Sequence, residues 1–130
     1  MNPLNCILLV EDEPTTNFLH KILIQNTDCA KQTISKENGQ EALDYLLNPN
    51  SVTPDIIFLD INMPVMNGWE FLDEYAHIDE EKKAKIVIIM LSTSLNPADY
   101  QRAIEMEMVN GFQNKPLSAE TLKEILQQHF

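Results

Sequence analysis

Three carboxylates, a hydroxyl and an amine stand where short apolar runs of this 130-residue chain stop. Ile7-Leu8-Leu9-Val10 ends at Glu11-Asp12, Ile56-Ile57-Phe58-Leu59 at Asp60, and Ile86 to Leu91 at Ser92. A shorter segment around Phe112 leads into Lys115-Pro116. If these runs are parallel strands, all of the polar groups land on one edge of one sheet. Three carboxylates so crowded repel, and in partly buried surroundings each like-charge contact raises a pKa or demands a counter-ion. A hard divalent cation relieves the repulsion. Mg2+ fits best, because it takes a few carboxylates, keeps some waters and shares its other positions with phosphate oxygens. Lys115 adds an ammonium opposite the cation, and Ser92 a hydroxyl donor. A phosphoryl group on Asp60 would be gripped by all three, which is electrostatic preorganisation for phosphoryl transfer. The nucleophile would be a carboxylate and the product an acyl phosphate.

The elements that must position these groups alternate. Cys6 to Val10 is too short for a helix and reads as a strand buried on both faces. Pro14 suits a first helical turn. Thr15 to Gln25 then places Phe18, Leu19, Ile22 and Leu23 on one helical face. Lys31 to Lys36, with Ile34 among polar residues, reads as an edge strand. Gln40 to Leu47 is helical, and Asn48-Pro49-Asn50-Ser51 breaks it. Asp55 to Leu59 is a strand, and Trp69 to Ile78 a helix with Phe71, Leu72, Tyr75 and Ala76 inward. Asp79 to Lys83 reads as a solvated helix end or loop. Ile86 to Leu91 is the most apolar strand. A helix from Asn96-Pro97 to about Met108, a short strand Phe112 to Asn114 and a helix Glu120 to Gln128 capped by Ser118 complete the chain. Each glycine follows an asparagine, at 38-39, 67-68 and 110-111, which predicts positive-φ turns. Five strands and five helices in strict alternation make a (βα)5, doubly wound α/β fold with a parallel five-stranded sheet. Strands one and three are the expected central neighbours, setting Glu11 and Asp12 across a crevice from Asp60.

Composition excludes other classes. The net charge is -11 and the pI about 4.5, so the chain repels nucleic acid and anionic membrane. No apolar run approaches the ~20 residues that cross a bilayer. Met1 to Asn5 lacks a basic signal-peptide region. Cys6 and Cys29 are too few and too far apart for a zinc site, and a reduced, cytoplasmic compartment is expected. His20, His77 and His129 read as solvated helix residues without a Cys or Ser partner for a nucleophilic triad. Met63 and Met66 read as packing, because a hard metal site does not take thioether. No glycine-rich phosphate loop occurs.

Taken together, the acidic pair Glu11-Asp12, the stretch Asp60-Ile61-Asn62-Met63-Pro64-Val65-Met66-Asn67-Gly68, Leu91-Ser92-Thr93, Phe112 and Lys115-Pro116 resemble a response-regulator receiver domain of two-component signalling. The resemblance covers essentially the whole chain. It implies the flavodoxin-like strand order 2-1-3-4-5 and one receiver domain over 1–130 without an output domain. Asp60 matches the residue that accepts phosphate from a sensor histidine kinase or a histidine phosphotransfer protein. Asp12 matches a direct Mg2+ ligand, Glu11 one acting largely through water, and Asn62 the position whose backbone carbonyl meets the metal. Ser92 matches the switch hydroxyl, with Thr93 adjacent, Phe112 the switch aromatic and Lys115 the site lysine. Pro64, Gly68 and Pro116 match structural positions, and a cis bond is implied before Pro116. The family accepts and loses its own phosphoryl group without turning over external substrates. It signals to a downstream protein through the fourth of the expected helices, the fifth strand and the last helix, and a phosphorylation-linked dimer is compatible with it. Glu11 stands where Asp is commoner, and Ser92 where Thr is. Two rivals remain open: a pseudo-receiver that is never phosphorylated, and an aspartyl-nucleophile phosphatase, for which Asn62 stands where a second acid is usual.

Overall fold

The computed structural model describes residues 3–83, 85–93 and 96–130. Its strands are β1 (Ile7–Val10), β2 (Thr33–Lys36), β3 (Ile56–Asp60), β4 (Val87–Ser92) and β5 (Gly111–Asn114). All pair in parallel, in the order β2-β1-β3-β4-β5. The flavodoxin-like topology expected from the resemblance is therefore the one observed, with β2 on an edge.

Alternation along each central strand divides the core into two layers. Leu8, Val10, Ile57, Leu59, Ile88 and Met90 pack with the helices α2 (Gly39–Leu47), α3 (Gly68–Tyr75) and α5 (Pro97–Glu105). Ile7, Leu9, Ile56, Phe58, Ile89 and Leu91 pack on the other face with α1 (Pro14–Thr27) and α6 (Ala119–His129). The continuous apolar runs exist because both faces are covered. Each fully buried Leu, Ile or Phe contributes about 1.5–3 kcal/mol, which anchors the strand ends where the polar groups sit.

Several expectations change. A sixth helix, α4 (Glu80–Lys83), occupies the stretch read as a helix end or loop, with the Asp79 carboxylate accepting the Glu81 N–H at 3.0 Å. α5 ends at Glu105 rather than near Met108; Met106 turns extended, and Met106 and Met108 then pack irregularly against the core. On α1 the inward face is not Phe18-Leu19-Ile22, which are 62%, 49% and 37% exposed; His20 and Ile24 are the buried residues.

None of the glycines has positive φ. In the first two Asn-Gly pairs the asparagine is a helix N-cap: Asn38 accepts from the Glu41 N–H, and Asn67 from Glu70 in a reciprocal capping box. Gly68 is required by close approach, since a Cβ there would lie 2.5 Å from the Asp60 carbonyl oxygen. The left-handed residues are instead Asp28, which closes α1, and Val65, with φ 51° and 67°. Val65 is β-branched and 80% exposed, in a tight turn where the Met66 N–H donates to the Pro64 carbonyl at 2.7 Å. That conformation is strained for such a side chain.

Candidate functional site

The carboxyl ends of β1, β3, β4 and β5 converge as the apolar runs required. Asp60, the last residue of β3, is 5% exposed, and Glu11, directly after β1, is 3% exposed. Lys115 reaches in from the β5–α6 connection. Its Nζ lies 2.6 Å from Glu11 Oε1 and 3.1 Å from Asp60 Oδ1. Glu11 Oε2 also accepts the Glu13 N–H at 3.2 Å. Asp12 is exposed at the mouth, and one oxygen each of Glu11, Asp12 and Asp60 lie within 4.8 Å of one another. Three hard anionic oxygens at that spacing are a donor set suited to a small divalent cation rather than to a soft metal.

Electrostatics follow from burial. Burial pushes the Glu11 carboxyl upward; the Lys115 hydrogen bond opposes this and the neighbouring Asp60 charge adds to it, for a net rise. Burial alone would lower the Lys115 ammonium, but its bonds to Glu11 and Asp60 outweigh that and hold it above the usual lysine range. Lys115 is therefore a firmly charged group clamped between two carboxylates.

Ser92, the last residue of β4, is 3% exposed, and its carbonyl accepts the Lys115 N–H at 2.9 Å. Thr93 follows it on the surface. Phe112 on β5 is half-buried and meets Tyr100 of α5 edge-on, with ring centroids 5.7 Å apart. Asn62 is exposed in the β3–α3 loop, Pro64 is exposed, and Met63 and Met66 pack against the core. The Lys115-Pro116 peptide is cis. A cleft of about 660 Å³, beside Tyr75, Ile86 and Met106, lies by the opposite end of β4.

Two residues of the site were not legible. The Asn17 side-chain amide donates to the Glu11 carbonyl at 2.7 Å. His20, expected in solvent, is 1% exposed, and its Nε2 accepts the Leu117 N–H at 3.1 Å. Burial, then the Lys115 charge, lowers its pKa to about 4. The signal that could have found them is the spacing Asn17, His20, Ile24, which shares one helical face.

No helix among the described residues is long and apolar enough to cross a membrane. The family model for the response regulator receiver domain matches residues 7–127. The nitrate/nitrite response regulator of Escherichia coli is 31% identical over 94% of the chain, which spans only 53% of that protein's length. A response regulator of Synechocystis is 29% identical over 97% of the chain and 86% of its own length. Among solved structures, a two-component response regulator from Cytophaga hutchinsonii superposes with a TM-score of 0.90 at 32% identity, covering 98% of this chain and 97% of that one. A chemotaxis response regulator of Vibrio cholerae gives 0.79 at 26%, covering 98% and 99%. The chain belongs to the response regulator receiver domain family of two-component signalling.

Proposed function

We propose that Asp60 accepts a phosphoryl group from a phosphohistidine of a sensor histidine kinase or histidine phosphotransfer protein, in the cytoplasm, and that this switches a protein-binding face. The observation that carries the reading is the buried Asp60 carboxylate, ion-paired to Lys115 and flanked by Glu11 and Asp12. Glu11, Asp12 and Asp60 would hold Mg2+, together with the Asn62 backbone carbonyl. Bound there, Mg2+ would neutralise charge on the carboxylates and on the transferred phosphoryl oxygens.

The chain's own residues divide the work. An Asp60 carboxylate oxygen forms the new O–P bond as the donor's N–P bond breaks, leaving the donor imidazole. Lys115, already 3.1 Å from Asp60, offers its ammonium to a phosphoryl oxygen in place of that contact. Ser92 supplies a hydroxyl donor, Thr93 flanks it, and Phe112 fills the space that Ser92 vacates. The face of α5, β5 and α6 is then remodelled for a downstream protein. Phe18, Leu19 and Ile22 are exposed on α1, and Phe18 borders a cleft of about 400 Å³ shared with Asp12, so this face of α1 would meet the phosphodonor. Hydrolysis of the acyl phosphate resets the switch, so no external substrate is turned over.

Intact-mass and peptide mass spectrometry after acetyl phosphate treatment tests the reading. Wild type gains one phosphoryl group on Asp60 with Mg2+ and little without it, and Asp60→Asn gains none. Labelling of another residue refutes the assignment, and Mg2+ binding without labelling favours the pseudo-receiver.

A further inference from the structure

We propose that His20 is a positioning residue for Lys115, fixing through the Leu117 amide the loop that carries the ammonium into the acidic site. The inference rests on the phosphoacceptor reading for its kinetic consequence, but its geometry is independent of it. Pro116 has no N–H. The donors flanking the Lys115-Pro116 peptide are therefore the amides of Lys115 and Leu117. The first goes to the Ser92 carbonyl at 2.9 Å, the second to His20 Nε2 at 3.1 Å. One turn earlier on α1, Asn17 holds the Glu11 carbonyl at 2.7 Å. Positions 17 and 20 share a helical face. A single helix thus ties both members of the 2.6 Å Lys115–Glu11 pair, one through each backbone.

The chemistry of the ring agrees. To accept the amide, Nε2 must be unprotonated and the proton must sit on Nδ1. Burial and the nearby Lys115 charge keep the imidazole neutral at physiological pH, with a pKa of about 4. A leucine would fill the same interior without the desolvation cost of a polar ring. What the imidazole adds is an acceptor for a backbone donor that would otherwise be buried unpaired. Displacing a charged group by about 1 Å at a reacting centre can cost up to ~100-fold in rate, so a modest slackening of this loop is enough to be measured.

The test uses the full chain with His20→Leu and His20→Gln, the second keeping a side-chain acceptor. With Mg2+ and acetyl phosphate, the initial rate of Asp60 labelling falls about 10-fold in His20→Leu and stays within about threefold of wild type in His20→Gln. Without any phosphodonor, the 15N resonance of the Lys115 ammonium moves or broadens in His20→Leu and keeps its wild-type position in His20→Gln. Equal rates and unchanged ammonium signals in all three proteins overturn the inference, as does an equal loss in both variants, which would mark a packing role only. Failure of wild type to label overturns the phosphoacceptor reading instead, and the ammonium signal then decides His20 alone. Should His20→Leu not fold, 15N shifts of the wild-type imidazole remain decisive: an unprotonated Nε2 hydrogen-bonded to Leu117 is expected, and a protonated Nε2 excludes the proposal.

Discussion

The two sides of Asp60 are built differently. On the α1 side, Glu11, Asn17, His20, Lys115 and Leu117 are joined by hydrogen bonds and ion pairs of 2.6–3.1 Å, mostly out of solvent. On the α5–β5 side the contacts are softer. Phe112 is half-buried, Tyr100 is 51% exposed, and Ala103 is the buried residue of α5. Beyond the β4–β5 ladder, the side-chain contacts among the described residues there include the edge-on Tyr100–Phe112 pair and Arg102 stacked 4.3 Å over the Trp69 ring of α3. Such ring contacts are worth about 0.5–1.5 kcal/mol each. A cleft of about 340 Å³ between Pro97, Tyr100, Phe112 and Asn114 leaves room for rearrangement. Under the proposed function the contrast has a use: the fixed side would hold the carboxylate that takes the phosphoryl group, and the yielding side would change shape for little free energy.

The comparison breaks most visibly at Lys115. Its side chain is 9% exposed between carboxylates that are 4% and 6% exposed. Removing one partner of a buried pair leaves unpaired charge, so Lys115→Ala should lose roughly 3–5 kcal/mol of stability by chemical denaturation. Saturating Mg2+ should recover most of that loss by replacing the missing positive charge, and the variant should still bind the cation. Loss of stability that Mg2+ does not restore would mean that Lys115 serves the fold rather than the acidic site.

A smaller effect sharpens the fixed side. The folded state holds His20 near a pKa of about 4, against 6.5 for an ordinary histidine. Because the unfolded chain takes up this proton first, the contribution is fully present above pH 6.5 and is lost as pH falls toward 4. Its full size is about 3 kcal/mol. Denaturation midpoints across that window should fall more steeply for wild type than for His20→Gln, which has nothing to titrate there. Parallel curves would place the ring in solvent. The smallest effect lies outside both sides: Val65→Gly relieves the left-handed strain and should gain roughly 1 kcal/mol after the added chain entropy of glycine, leaving labelling of Asp60 unchanged.

What the sequence made legible follows from where information is local. The strand ends could be read because Val10, Leu59 and Leu91 each precede a polar residue and the runs are buried on both faces. The order of the strands needed the resemblance, since nothing in one strand names its neighbour. α1 misled because it carries two stripes. Phe18, Leu19 and Ile22 have the stronger apolar signal, while the stripe that packs inward runs through Asn17, His20 and Ile24 and earns its burial by hydrogen bonds to distant backbone. The Asn-Gly pairs misled for a similar reason. Gly68 answers to the Asp60 carbonyl, a contact made across the β3–α3 loop, and not to a local turn.

The most direct test of the account is an amide 1H–15N shift map of the full chain with Mg2+ before and after addition of beryllofluoride, which mimics the phosphoryl group. Binding should require Asp60. Beyond its immediate neighbours, the largest shifts should fall on Tyr100, Phe112 and the surrounding α5–β5 residues, with Asn17 and His20 nearly still. Shifts concentrated on α1 with Phe112 and Tyr100 unmoved, or an unchanged response in Asp60→Asn, would contradict it.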